Sequence, residues 1–168
     1  MSLTTREFWT VFHGMGVGAI FLLAFAGGLA GLWSLKKAAV TSEGLHERMR
    51  RLLIGFWTMA VVAWITVISG TYIVYPWYRA KGGPRTAILA DAHKAAWHTF
   101  GMEWKEHVAW LAPILATVVA VLVTRYREEL SEREDLRRAA LVLFVLAFVA
   151  AAIPGLFGAF INKVAPIL

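Results

Sequence analysis

Apolar residues in this chain come in long unbroken stretches, not in alternation with polar ones. Four runs, over residues 8–33, 52–75, 108–124 and 139–161, contain no Asp, Glu, Lys or Arg. A helix rises about 1.5 Å per residue, so about 20 apolar residues cross a hydrocarbon core about 30 Å thick. All four runs are near or above that length. The pattern therefore predicts an all-α integral membrane protein, with four transmembrane helices in a bundle and residues 1–168 as a single domain.

The polar residues collect in three connections. Residues 35–51 carry Lys36, Lys37, Arg48, Arg50 and Arg51, and residues 125–138 carry Arg125, Arg127, Arg133, Arg137 and Arg138. These two short connections hold 10 of the 17 basic residues. Lys and Arg in short loops favour the cytoplasmic side, so both termini and the longer second connection are expected outside. In that second connection, Tyr75-Pro76-Trp77-Tyr78 is expected to end the second helix, because proline disfavours helix in the residue before it. Lys81-Gly82-Gly83-Pro84 reads as a turn. Residues 86–100 return to helical character, as a short amphipathic helix on the outer surface or as an extension of the third helix. The third connection mixes its arginines with Glu128, Glu129, Glu132, Glu134 and Asp135 and reads as a solvated, charge-laced turn.

Composition agrees with the pattern. The chain is 59% hydrophobic with mean hydropathy +0.62, above the roughly 45–50% apolar content of soluble domains. The net charge of +6 then reads as loop cations at lipid headgroups, not as a nucleic-acid footprint. No cysteine is present, which excludes c-type haem attachment, cysteine-ligated iron–sulfur clusters and disulfides. The first run is too long for a signal peptide and is read as a retained helix. A bacterial or archaeal cytoplasmic membrane is the expected location.

Within the four runs the one ionisable group other than tyrosine is His13. An ionisable side chain at membrane depth is a functional-site hypothesis by default. At about 100° per residue, Val17, Ile20, Ala24, Gly27 and Gly31 share its helix face, with Gly16 and Gly28 to either side. Such a glycine-rich face admits a flat cofactor, or equally the backbone of another helix. His107 heads the third run and His98 lies above it. Counting about 1.5 Å per residue from the nearest inner cations places His13, His107 and His98 about 34, 27 and 40 Å away, differences that tilt or a kink at Pro113 absorb.

Two imidazoles on opposing helices are what a six-coordinate b-type haem requires. His13 and His107 are therefore the expected iron ligands, with His98 in reserve and Gly16, Gly27 and Gly31 beside the macrocycle. The functional expectation is a membrane subunit of a respiratory-type electron-transfer complex, holding haem b near the outer face and exchanging electrons with quinone. Such a subunit reads more as an electron-transfer or non-catalytic component than as an enzyme by itself. Its partners are the bilayer and other subunits of the complex. The alternative is a cofactor-free structural subunit that packs through its glycine stripes. His46, beside Glu43 and Glu47, reads as a solvated histidine, and Glu103, Lys105 and Glu106 read as a solvated helix start.

Overall fold

The computed structural model describes residues 2–35 and 42–166. Lys36 and Lys37, two of the first connection's cations, lie outside the described residues. Among the described residues four helices are long and apolar enough to cross a membrane: α1 (Thr5–Ser34), α2 (Glu43–Arg79), α4 (Trp97–Arg125) and α5 (Glu134–Val164). A short helix, α3 (Pro84–Leu89), sits in the second connection. Each long helix extends past its apolar run because polar residues continue it beyond the hydrocarbon depth. At its start α1 is fixed by a capping box: Thr4 Oγ1 accepts the Glu7 N–H at 3.2 Å, and the Glu7 carboxylate accepts the Thr4 N–H at 2.8 Å.

The long helices run up and down, and each packs on its sequence neighbour, with α5 returning against α1. Small residues set the close approaches. A methyl group on Gly28 would stand 2.5 Å from Phe144 Cζ, and one on Gly31 would stand 2.6 Å from Leu52 Cδ1. Both glycines thus receive side chains of neighbouring helices. Phe25 stacks on Phe144 and Phe148 at 5.1 and 4.0 Å, and Phe56 meets Phe144 edge-on at 4.4 Å. Phe56, Met59, Val119, Val123 and Phe144 are buried at the centre.

Two tryptophan–threonine bonds lock α2 to α4. Trp57 Nε1 donates to Thr124 Oγ1 and Trp64 Nε1 to Thr117 Oγ1, each at 3.1 Å. Each threonine hydroxyl in turn donates to a carbonyl four residues back, Ala120 at 2.6 Å and Pro113 at 2.7 Å. Every polar atom of these pairs is therefore satisfied, as a lipid-facing hydroxyl requires. The opposite surfaces are apolar: Leu22, Leu23, Ile54, Val61, Ile65, Leu111, Ile114, Val142 and Leu146 are all exposed. A band of exposed apolar side chains on all four helices is what a bilayer covers.

The second connection folds over one end of the bundle. Gly83 stands where a Cβ would lie 2.8 Å from the Trp77 carbonyl oxygen, and Gly82 has φ +76°. These two glycines make the turn possible. Ile88 and Tyr78 are buried there with Met102 and Ile161, and Trp97 and Phe157 pack around them. Residues 86–100 are not one helix: α3 stops at Leu89, turns follow, and α4 begins at Trp97.

The second helix also differs from expectation, because it continues through Pro76 to Arg79. A π-helical turn, Gly70–Val74, ends two residues before the proline. Its wider hydrogen-bond spacing accommodates a residue that offers no N–H. Pro113 is handled differently. With no N–H from Pro113, the Ala109 carbonyl accepts the Ala112 N–H at 3.2 Å, and α4 tightens locally.

Candidate functional site

Among the described residues three π-helical turns interrupt the long helices, and all lie toward the end covered by the second connection. They are Phe12–Gly16 in α1, Gly70–Val74 in α2 and Trp97–Met102 in α4. Such turns concentrate at functional sites because each carries an inserted residue and loosens the helical ladder. The first contains His13 and the third contains His98. The second begins at Gly70, against which the His13 ring lies.

His13 is half-buried between α1 and α2. Its Nδ1 is 3.0 Å from Ser69 Oγ, and Ser69 Oγ donates to the Thr66 carbonyl at 3.2 Å. The serine hydrogen is thereby committed, so Ser69 accepts from His13 and the imidazole proton resides on Nδ1. Its Nε2 keeps a lone pair and makes no hydrogen bond among the described residues. This is the orientation of a metal-ligating histidine, whose second nitrogen donates to a fixed acceptor. It is equally the orientation of a hydrogen-bond acceptor for a hydroxyl ligand.

Lys105 of α4 stands toward the same end of the bundle as His13. Its ammonium is seated against α5, where a methyl group on Gly158 would stand 2.9 Å from Nζ. Glycine at 158 thus opens the space for the cation. The next residue, Glu106, directs Oε1 into the interior beside Tyr75. Glu106 Oε1 and the Tyr75 hydroxyl are shut off from solvent and approach each other, but among the described residues neither makes a well-formed hydrogen bond. Leaving buried polar groups unpaired costs about 1–3 kcal/mol each, so such atoms call for a function. The Arg79 guanidinium covers the Tyr75 ring at 5.2 Å.

His98 forms a second polar layer above. It is 5% exposed. Arg85 Nε donates to its Nε2 at 3.2 Å, so the proton is on Nδ1, which donates to the Tyr78 hydroxyl at 3.0 Å. Glu103 Oε1 is 3.9 Å from Nε2. Both ring nitrogens are engaged.

The sequence-predicted residues are therefore distributed as follows. His98 precedes Lys105 by seven residues, about 10 Å along the helix, which puts it well above the level of His13. His107 is exposed and bonds back to its own helix, Nδ1 to the Glu103 carbonyl at 2.6 Å. Two residues past Lys105 is about 200° around an α-helix, so His107 faces away from the side that Lys105 presents to α5. Gly16 meets only Phe12 of its own helix, at 3.5 Å, and Gly27 opens onto space. Gly31 is filled by Leu52. His46 lies with Glu43, Glu47 and Arg50 on the surface at the opposite end. Among the described residues no group of three His, Asp or Glu side chains converges as a metal site.

Ser69, Gly70, Tyr75, Lys105 and Glu106 belong to the site although their sequence context pointed elsewhere. Lys105 and Glu106 read as solvated because charges flank them on both sides, yet Lys105 falls three and four residues from Met102 and Gly101, which are buried. That helical spacing was the available signal. No protein family, curated protein or solved structure matches the chain.

Proposed function

We propose that the chain is a membrane subunit of an electron-transfer assembly, and that the polar site around His13 receives the head group of a quinone. The observation that carries this reading is the single free nitrogen of His13, with Nδ1 held by Ser69 and the Lys105 ammonium toward the same end of the bundle. Quinone reduction and quinol oxidation move protons together with electrons. A site for them needs a donor for a carbonyl oxygen, an acceptor for a hydroxyl and a way out for protons. Lys105 supplies the donor and His13 Nε2 the acceptor. The Tyr75 hydroxyl and Glu106 carboxylate lead toward the polar layer of Tyr78, His98 and Arg85, and so toward water. Electrons would come from redox groups on other subunits.

The basic first and third connections support an outer-face position for the site, in a membrane we take to be a bacterial or archaeal cytoplasmic one. The direct test is binding of a short-chain benzoquinone to the purified protein, followed by quenching of tryptophan fluorescence. Wild type should saturate, and His13→Ala should bind about tenfold more weakly, as expected for loss of one good hydrogen bond in a dry site. Equal binding by the two proteins defeats the proposal.

Haem b with His13 as an axial ligand is the second reading. It is favoured by the Nδ1–Ser69 bond, the usual outer contact of a ligating imidazole. Neither His98 nor His107 faces His13 in this fold, so the second axial position would fall to a partner subunit. Oxidised and reduced absorbance spectra of the assembly separate the two readings. A low-spin haem signal that disappears in His13→Ala selects haem.

A further inference from the structure

At the opposite end, on the lipid side of the α2–α4 pair, lies a groove of about 600 Å³. Trp64, Ile114, Val118 and Val121 form its walls, and Arg125 and Tyr126 stand at its mouth. We infer that this groove holds one anionic phospholipid, its phosphate on Arg125 and one acyl chain along the apolar wall. This is independent of the reading given to His13.

Three observations identify the occupant. First, the groove has the length of one leaflet. From Ile114 to Arg125 is 11 residues, about 16 Å along the helix, and half of a hydrocarbon core is about 15 Å. Second, its chemistry is divided as a lipid's is. Ile114, Val118 and Val121 are exposed apolar side chains, and the two polar groups low in the wall, Trp64 Nε1 and Thr117 Oγ1, are bonded to each other, the threonine hydroxyl donating on to the Pro113 carbonyl. Nothing there asks for a polar ligand. Third, the cation at the mouth is uncommitted. Arg127 pairs with Glu128, Arg133 with Asp135 and Arg138 with Glu134, while Arg137 donates to the Leu130 carbonyl. Arg125 alone of these arginines makes no hydrogen bond or ion pair among the described residues, and the Tyr126 ring is beside it in the same groove. A planar guanidinium matches a phosphodiester with two parallel bonds. Anionic headgroups are also the ones enriched where basic connections lie.

The test uses the full chain in nanodiscs of equimolar phosphatidylglycerol and phosphatidylcholine, released into the gas phase for native mass spectrometry. Wild type is expected to retain one phosphatidylglycerol per chain in about tenfold preference to phosphatidylcholine, the discrimination typical of one charge-assisted contact. Arg125→Gln should abolish the preference, Arg125→Lys should keep part of it, and Val118→Trp should lower retention of both lipids by filling the groove. Both positions are exposed, so neither change disturbs the core. Equal retention of the two lipids by wild type overturns the inference, as does an unchanged preference in Arg125→Gln. So does a dimer in which cysteines placed at Val118 cross-link to each other, since a second copy would then cover the groove.

Discussion

The imidazole of His13 sets its Cε1 edge against Gly70, so close that a methyl group there would stand 2.7 Å from Cε1 and 3.3 Å from Nε2. The histidine of α1 and the glycine of α2 thus form one unit, and Ser69 next to that glycine supplies the hydrogen bond that orients the ring. Position, tautomer and room for the ring all come from two consecutive residues of the facing helix.

Gly70→Ala should therefore affect the site more than the fold. Alanine gains about 1 kcal/mol of helix propensity over glycine, while the forced ring displacement costs about 1–3 kcal/mol. The difference leaves a net loss of no more than about 2 kcal/mol in thermal unfolding. Benzoquinone affinity should nevertheless fall toward that of His13→Ala, because the ring no longer sits on Ser69. A large loss of melting temperature with unchanged affinity would contradict the described contact.

Ser69→Ala removes the acceptor of the His13 proton and leaves the ring's Nδ1 without its partner. A loss of about 1 kcal/mol is expected. The more specific readout is ¹⁵N NMR of labelled histidine. Wild type should show one tautomer at His13 with the proton on Nδ1, and the variant should show a mixture of both.

Phe144 joins three helices, touching Phe25, Phe56 and the space above Gly28. Phe144→Ala should lower stability by about 3–5 kcal/mol, the range for a large buried aromatic. Leu22→Ala, on the exposed face of α1, should change it by about 0.5 kcal/mol or less. Thermal unfolding in one detergent distinguishes the two. Equal effects would mean that lipid-facing and core-facing sides had been interchanged.

Asp91 lies in the second connection, outside the membrane-spanning helices. The Lys94 ammonium, at 2.9 Å, and the His93 backbone N–H hold its carboxyl below its ordinary value of 3.8. A depressed carboxyl contributes stability at pH above its unfolded value and loses it as pH falls through the folded value. The turn should accordingly be intact at neutral pH and loosen only below 3.8. A ¹³C titration of Asp91 should show the lowered midpoint, and Lys94→Ala should move it back up.

The four crossings were legible because an uncharged run of membrane length admits few other structures, and their packing order follows from short connections. Much of the site was not legible, for reasons of geometry. Depth counting placed His13, His98 and His107 at comparable levels, but it says nothing about which way a side chain points. The π-helical turn Trp97–Met102 adds a residue to the start of α4, so a wheel drawn at a constant 100° loses its register between His98 and Lys105. The glycine stripe was correctly read as smooth, yet Phe144 and Leu52 occupy it. Two of the same glycine spacings would have looked identical had a cofactor lain there. Lys105 and Glu106 were hidden by their charged context, because the fold of the second connection over Ile161 depends on contacts that no helical period encodes.

The bonds Trp57–Thr124 and Trp64–Thr117 have one further implication. Seven residues separate the donors, seven separate the acceptors, and the two helices run in opposite directions, so the bonds work as paired teeth on a rail. Sliding α2 past α4 by one turn, a common way for helices to change state, would disengage both teeth together and leave two indole N–H groups unpaired in hydrocarbon, while the threonine hydroxyls keep their bonds within α4. The α2–α4 pair therefore serves as the stationary frame of the molecule.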